Sequence, residues 1–197
     1  MKLLIASTLS VLCLAIAPAY ARCVDLAEGN FFTLTRNAPF FEISNTVSED
    51  GTVLANSRMK RDGSLEKATT RFWNGVIPVE RKSEASRIKM KISEEAKLAD
   101  LSKTGKMYKY PVSILINGNK VDQGHFVVKP IKKSRISIGG CSYRVMVVRT
   151  SLEREKGSTI NEQALLSLDA GFLLGNVAMT SDWKPRSSVL FDSITAY

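Results

Sequence analysis

The sequence predicts an all-β fold, built as a strongly curved antiparallel sheet or barrel with one short helix. Three observations carry this expectation. Turn dipeptides recur at Asp50-Gly51, Asp62-Gly63, Asn74-Gly75 and Asn117-Gly118, and each favours the positive φ angles of a hairpin turn. The runs around them alternate apolar and polar residues with period two. Helix signals gather in one short stretch near residue 95.

Taken in order, the first clear strand has Ile88, Met90 and Ile92 alternating with Arg87, Lys89 and Lys91, the pattern of a strand with one wet face. A short helix, or a looped segment, is expected next. Ser93 can cap it, Glu94 and Glu95 suit its first turn, Lys103 suits its last and Gly105 stops it; Leu98 and Leu101 would face the core. Tyr108, Tyr110, Val112, Ile114 and Ile116 then share a strand face. Phe126-Val127-Val128 begins a strand, and Ile136 with Ile138 marks another. The basic run Lys132-Lys133-Ser134-Arg135 between them reads as the connecting turn. Cys141, Tyr143, Val145 and Val147 point one way, and Arg144, Met146 and Val148 the other. Leu165 to Leu168, Phe172 to Leu174 and Val189 to Phe191 complete the strands. Closure or strong curvature would protect the edges of so many strands.

The first 21 residues read as a secretory signal peptide. Lys2 is the positive zone, Leu3 to Ala17 the apolar zone, and Ala19-Tyr20-Ala21 a small-residue cleavage motif. Cleavage is expected after Ala21, with Ala19 as the alternative. Arg22 before Cys23 argues against a lipid anchor. Residues 22–197 then form a single antiparallel β domain in the periplasm, with secretion beyond it left open. No later stretch has membrane-spanning length. Cys13 leaves with the signal, so Cys23 and Cys141 remain, and an oxidising compartment makes them a disulfide pair.

The full chain carries a formal charge of +9, reduced to +8 by loss of Lys2. In a periplasm the available polyanions are lipid head groups, glycans and peptidoglycan carboxylates, and nucleic acid is not among them. The expected partner is therefore an envelope lipid, glycan or protein, amphipathic or anionic. Arg87, Lys89 and Lys91, joined by Arg58, Lys60 and Arg61, are the candidate anion-binding residues. Phe31, Phe32, Phe40, Phe41 and Trp73 are core residues or, in a curved sheet, lining for an acyl chain.

From Leu98 onward the order of features is familiar. Leu98-Ala-Asp-Leu101 leads to Gly105-Lys106, a strand at 108–116 and a return at His125–Lys129. Ile136-Ser-Ile-Gly-Gly-Cys-Ser-Tyr-Arg-Val-Met-Val-Val148 and Leu168-Asp-Ala-Gly-Phe-Leu-Leu174 follow. This order resembles a group of uncharacterised bacterial periplasmic envelope proteins with a curved antiparallel sheet, akin to the half-barrels of lipoprotein carriers. The resemblance implies a curved sheet with an apolar concavity and no catalytic residue.

The enzymatic alternative is a peptidoglycan-acting, transpeptidase-like Cys/His site. Ser137 to Arg144 loosely echoes the Ser-x-Gly-Cys-x-Arg motif of L,D-transpeptidases, with His125 upstream. The spacing departs from that motif on both sides of Gly140-Cys141, and a disulfide would remove the nucleophile. His125 is the lone histidine, so a histidine-rich metal site is excluded. Glu49-Asp50 and Glu94-Glu95 are accounted for by a turn and a helix start. No phosphate-binding glycine loop is present, and no cofactor is expected.

Overall fold

A computed structural model describes residues 23–197; the expected signal peptide, residues 1–21, lies outside the described residues. The early strands are β1 (Phe31–Arg36), β2 (Phe41–Val47), β3 (Val53–Arg61), β4 (Ser64–Trp73), β5 (Ile77–Ser83) and β6 (Arg87–Ile92). A 3-10 turn follows at Glu94–Leu98. Then come β7 (Tyr108–Ile116), β8 (Asn119–Ile138), β9 (Cys141–Arg154), β10 (Ile160–Ser167), β11 (Leu173–Met179), β12 (Pro185–Val189) and β13 (Ser193–Ala196).

All thirteen form one sheet in the order 12-11-10-9-8-7-6-5-4-3-2-1-13. From β1 to β12, neighbours in the chain are neighbours in the sheet, and most of the connections are short turns, the longer link from β6 to β7 holding the 3-10 turn. Asp62-Gly63, Asn74-Gly75 and Asn117-Gly118 each place both residues at positive φ, the geometry that matches strand twist. Gly139 and Gly140 do the same between β8 and β9.

The expected barrel is not formed. The sheet is open, neither closed nor strongly curled, and β12 and β13 stand at its two ends. The reason lies in the last segment of the chain. Pro185–Val189 pairs with β11, Ser193–Ala196 pairs with β1, and three residues separate them. Each half serves one end of the sheet, so neither bridges the two. The ends meet through side chains. Phe32 and Leu34 of β1 and Val53 of β3 share a core with Tyr143, Val145 and Val147 of β9 and with Leu174 of β11. Phe32 stacks on Phe172 at 5.1 Å.

A second core holds Ile77, Val112, Phe126, Val128, Met146, Val148, Ala164 and Leu166. Strand β9 therefore buries both faces, the central position its continuous apolar run calls for.

Two other expectations are corrected. Lys132 to Arg135 is not a turn. It lies inside the 20-residue β8, just past a bulge at Ile131. There β8 bonds to β9 on one side, while its pairing with β7 ends at Val128. Lysines on such an edge deter further strand addition, so their place is structural. The segment expected as a short helix or a loop is a single 3-10 turn. Ser93 does cap it, accepting from the Glu95 amide, but Leu98 is 83% exposed, while Ala96, Ala99 and Leu101 are buried. Three-residue turns put every third or fourth residue inward, and Leu98 falls between.

Asp100 fixes the chain after this turn. It accepts hydrogen bonds from the Ser102 hydroxyl and amide and pairs with Lys103 at 3.1 Å. The Ser102 hydroxyl first, then Lys103, hold its carboxyl down from 3.8 to about 2. A depressed carboxylate contributes stability that is present above the unfolded value and lost as pH falls through the folded one. A carboxyl NMR titration should therefore give Asp100 a midpoint near 2. A midpoint at the ordinary value of 3.8 would mean that the turn does not hold in solution.

Candidate functional site

The basic residues are placed by register. Residues paired across antiparallel strands project to the same side of a sheet. Arg58 pairs with Lys67 and Asn56 with Thr69; Thr69 pairs with Lys82 and Arg71 with Glu80. Lys82 then pairs with Arg87, Glu80 with Lys89, and Lys91 with Ser113. This chain of pairs runs from β3 to β7 and gathers the cations on one face. Of the six residues expected from sequence, Arg58, Lys60, Arg87, Lys89 and Lys91 lie there. Arg61 is on the opposite side, 3.5 Å from Glu66.

The carboxylates of this face are taken up by arginine. Arg58 Nε donates to Glu42 at 2.9 Å. Glu80 accepts from Arg87 and lies 3.8 Å from Arg71. The Arg87 hydrogen bond is the main cause that holds the Glu80 carboxyl below its ordinary range, with nearby Lys89 and Lys82 adding to it. Among the described residues, Lys60, Lys67, Lys82, Lys89 and Lys91 form no ion pair. Lys67 and Lys82 were missed in the sequence. Their period-two runs, Lys67-Thr69-Arg71 and Glu80-Lys82, were visible, and the Asp62-Gly63 turn would have set Lys67 opposite Arg58.

On the other side of the same strands are two cavities. The outer one, about 560 Å³, is lined by Arg36, Phe41, Met59, Arg61, Arg81 and Val189 among others. The inner one, about 310 Å³, is lined by Phe72, Val79, Ile88, Met90, Ala164 and Leu173, with Arg81 again in its wall. Of the aromatics expected as core or lining, Phe32 is fully buried. Phe41 walls the outer cavity and stacks on Phe191 at 5.8 Å. Phe31 lies against Tyr197, Trp73 packs on the second core, and Phe40 is half-buried.

Cys23 and Cys141 form a disulfide, and Cys141 is buried at the start of β9. His125 sits exposed on β8, paired with Pro111 and Glu153. It stands thirteen positions before Ile138, the partner of Cys141, which is roughly 40 Å of extended strand. The structure does not bring this Cys/His pair together. Glu49 and Asp50 lie in an exposed turn, where Asp50 accepts from Thr52. Among the described residues, no cluster of three or more histidine, cysteine, aspartate or glutamate side chains could hold a metal ion. Also among the described residues, no helix is long and apolar enough to cross a membrane. Comparison with protein-family models, with curated proteins and with solved structures finds no match.

Proposed function

We propose that the protein is a non-enzymatic, periplasmic envelope protein whose lysine-rich face binds an anionic envelope surface. One observation carries the reading. The face keeps two like-charge pairs in direct cross-strand register, Arg58 opposite Lys67 and Lys82 opposite Arg87. Such pairs destabilise a sheet, and a face that needed only solubility would interleave the signs. Lys60, Lys89 and Lys91, which form no ion pair among the described residues, extend the patch. A surface of this kind raises the encounter rate with anionic head groups or glycans, within a screening length of about 8 Å at physiological salt.

The test compares two triple variants on vesicles of phosphatidylglycerol and phosphatidylethanolamine, by co-sedimentation. Lys67→Glu with Lys82→Glu and Lys89→Glu removes the centre of the face. Lys120→Glu with Lys132→Glu and Lys156→Glu makes the same charge change elsewhere. Each basic residue near an anionic surface contributes about 1 kcal/mol, so the first variant should lose about a hundredfold in affinity. The second should lose only a few-fold, and added salt should weaken the wild type. Equal losses in the two variants would show that net charge alone drives the association and would overturn the assignment of a site.

A further inference from the structure

We infer that the two cavities behind the basic face form one binding site for a single-chain carboxylate amphiphile, its head in the outer cavity and its chain in the inner one. This goes beyond the proposed surface function and uses different residues on the other side of the sheet. The link is Arg81, which lines both cavities.

The outer cavity suits a carboxylate. Arg36 and Arg81 both face it, and among the described residues neither has a carboxylate partner. Arg36 is held by carbonyls, with its Nε donating to Pro39 at 3.0 Å and Nη1 to Ser188 at 3.4 Å. Arg81 Nη1 donates to the Thr70 hydroxyl at 3.4 Å. Arg36 lies over the Phe41 ring at 5.8 Å, and Arg81 and Met59 line the same cavity, so planar donors stand beside an apolar wall, the arrangement that receives a carboxylate and the first carbons of its chain. Arg61 also lines this cavity, with Glu66 as its partner.

The inner cavity suits the chain. Ile88 and Met90, the apolar half of the β6 alternation, form part of its wall with Phe72, Val79 and Leu173. Its volume of about 310 Å³ corresponds to about ten water volumes, room for a chain of about ten carbons. The same cavity also carries Glu162, with Arg81 as its cation, whereas the outer cavity adds Arg36, Arg61 and Lys67 to Arg81 against Glu66 and Glu84. The positive balance of the outer cavity fixes the direction of entry, chain first and head at the arginines. Asn176 Oδ1, on the inner wall, is buried with no hydrogen-bond donor from the protein, the kind of group that a ligand completes.

The methionines report on both halves without mutation. Met59 lines the outer cavity and Met90 the inner one. Met107 is 60% exposed elsewhere, and Met146 is fully buried. In the ¹³C-methyl-methionine protein, decanoate added below its micellar concentration should shift Met59 and Met90 with one common Kd and leave Met107 and Met146 in place. Arg81→Gln should weaken decanoate at least about tenfold, the worth of one charge-assisted hydrogen bond, and leave decanol unchanged. Lys89→Gln, on the opposite face, should change neither. An unmoved Met90, a Met107 shift as large as that of Met90, or an Arg81→Gln variant that binds decanoate as wild type would each overturn the assignment. None of these outcomes bears on vesicle binding by the lysine face, so the two proposals fail separately.

Discussion

Replacing Cys23 and Cys141 together with serine is expected to lower the melting temperature by about 10–20 °C, which is about 4–5 kcal/mol for a chain of this size. The bond spans 118 positions, and a cross-link over so long a loop removes a large share of the freedom of the unfolded chain. It also has a local task. Residues 23–30 precede the first strand, yet Leu26 is buried and Val24 packs on the first core, the one that holds Cys141 and Tyr143. The disulfide fastens this segment to the start of β9. Thermal unfolding of the double variant, followed by circular dichroism, should show the early transition with native strand content beforehand. Reduction of the wild type should shift the transition similarly. A melting temperature within a few degrees of wild type would show that strand pairing alone holds the segment.

Gly75→Ala is expected to cost about 4 kcal/mol, in the range where only severe steric or backbone faults act. Gly75 has φ +66, and a Cβ there would collide with the carbonyl oxygen of Gly171 and meet Leu166 at 3.0 Å. The obstacle is backbone, so no rotamer change relieves it. The turn is also a junction. Asn74 Nδ2 donates to the carbonyls of Ala96, Lys97 and Ala99, so displacing it loosens the 3-10 turn and the core residues beside it. Gly63 supplies the control. It has φ +82, and nothing lies within 4 Å of its Cβ position, so Gly63→Ala should cost only the backbone penalty of about 1 kcal/mol. Urea denaturation of both variants measures the difference. Similar losses would mean that the Gly75 turn does not press against Gly171 in solution.

The local pieces of this fold were legible where one signal decided them. Paired turn residues at 62–63, 74–75 and 117–118 gave the hairpins, and the alternation in β6 and β7 gave their faces. The signals failed where the deciding partner was far along the chain. Lys132 to Arg135 looks like a turn because four polar residues interrupt an apolar run, yet they are the wet edge of one long strand. Leu98 fits a helix face, but a single 3-10 turn rotates it to solvent. The anion face was only half legible. Arg87, Lys89 and Lys91 reveal themselves within one strand, whereas Lys67 and Lys82 join them only through register with β3 and β6. Arg61 follows Lys60 in sequence and therefore points the other way, since consecutive strand residues alternate. The cavities were least legible of all. They depend on β4 to β6 facing β9 to β11, a contact without any local sequence signature.

The division of the final segment between both ends of the sheet bears on the order in which the chain can assemble. Residues 31–179 contain eleven strands that can zip up as successive hairpins, each beside its predecessor. Both outermost ladders wait for residues 185–196, since Phe32 meets Ala196 and Asn176 meets Val189. A polypeptide emerging amino end first thus exposes the outer edge of β1 until residues 193–196 are free, whereas β12 closes on β11 as one more hairpin. The β1–β13 ladder is then a late event, because a pairing so distant in sequence must overcome a large closure entropy before it is rewarded. Until that moment the growing chain carries an open template on β1 for pairing with its neighbours, and it is most vulnerable to association while that edge is bare.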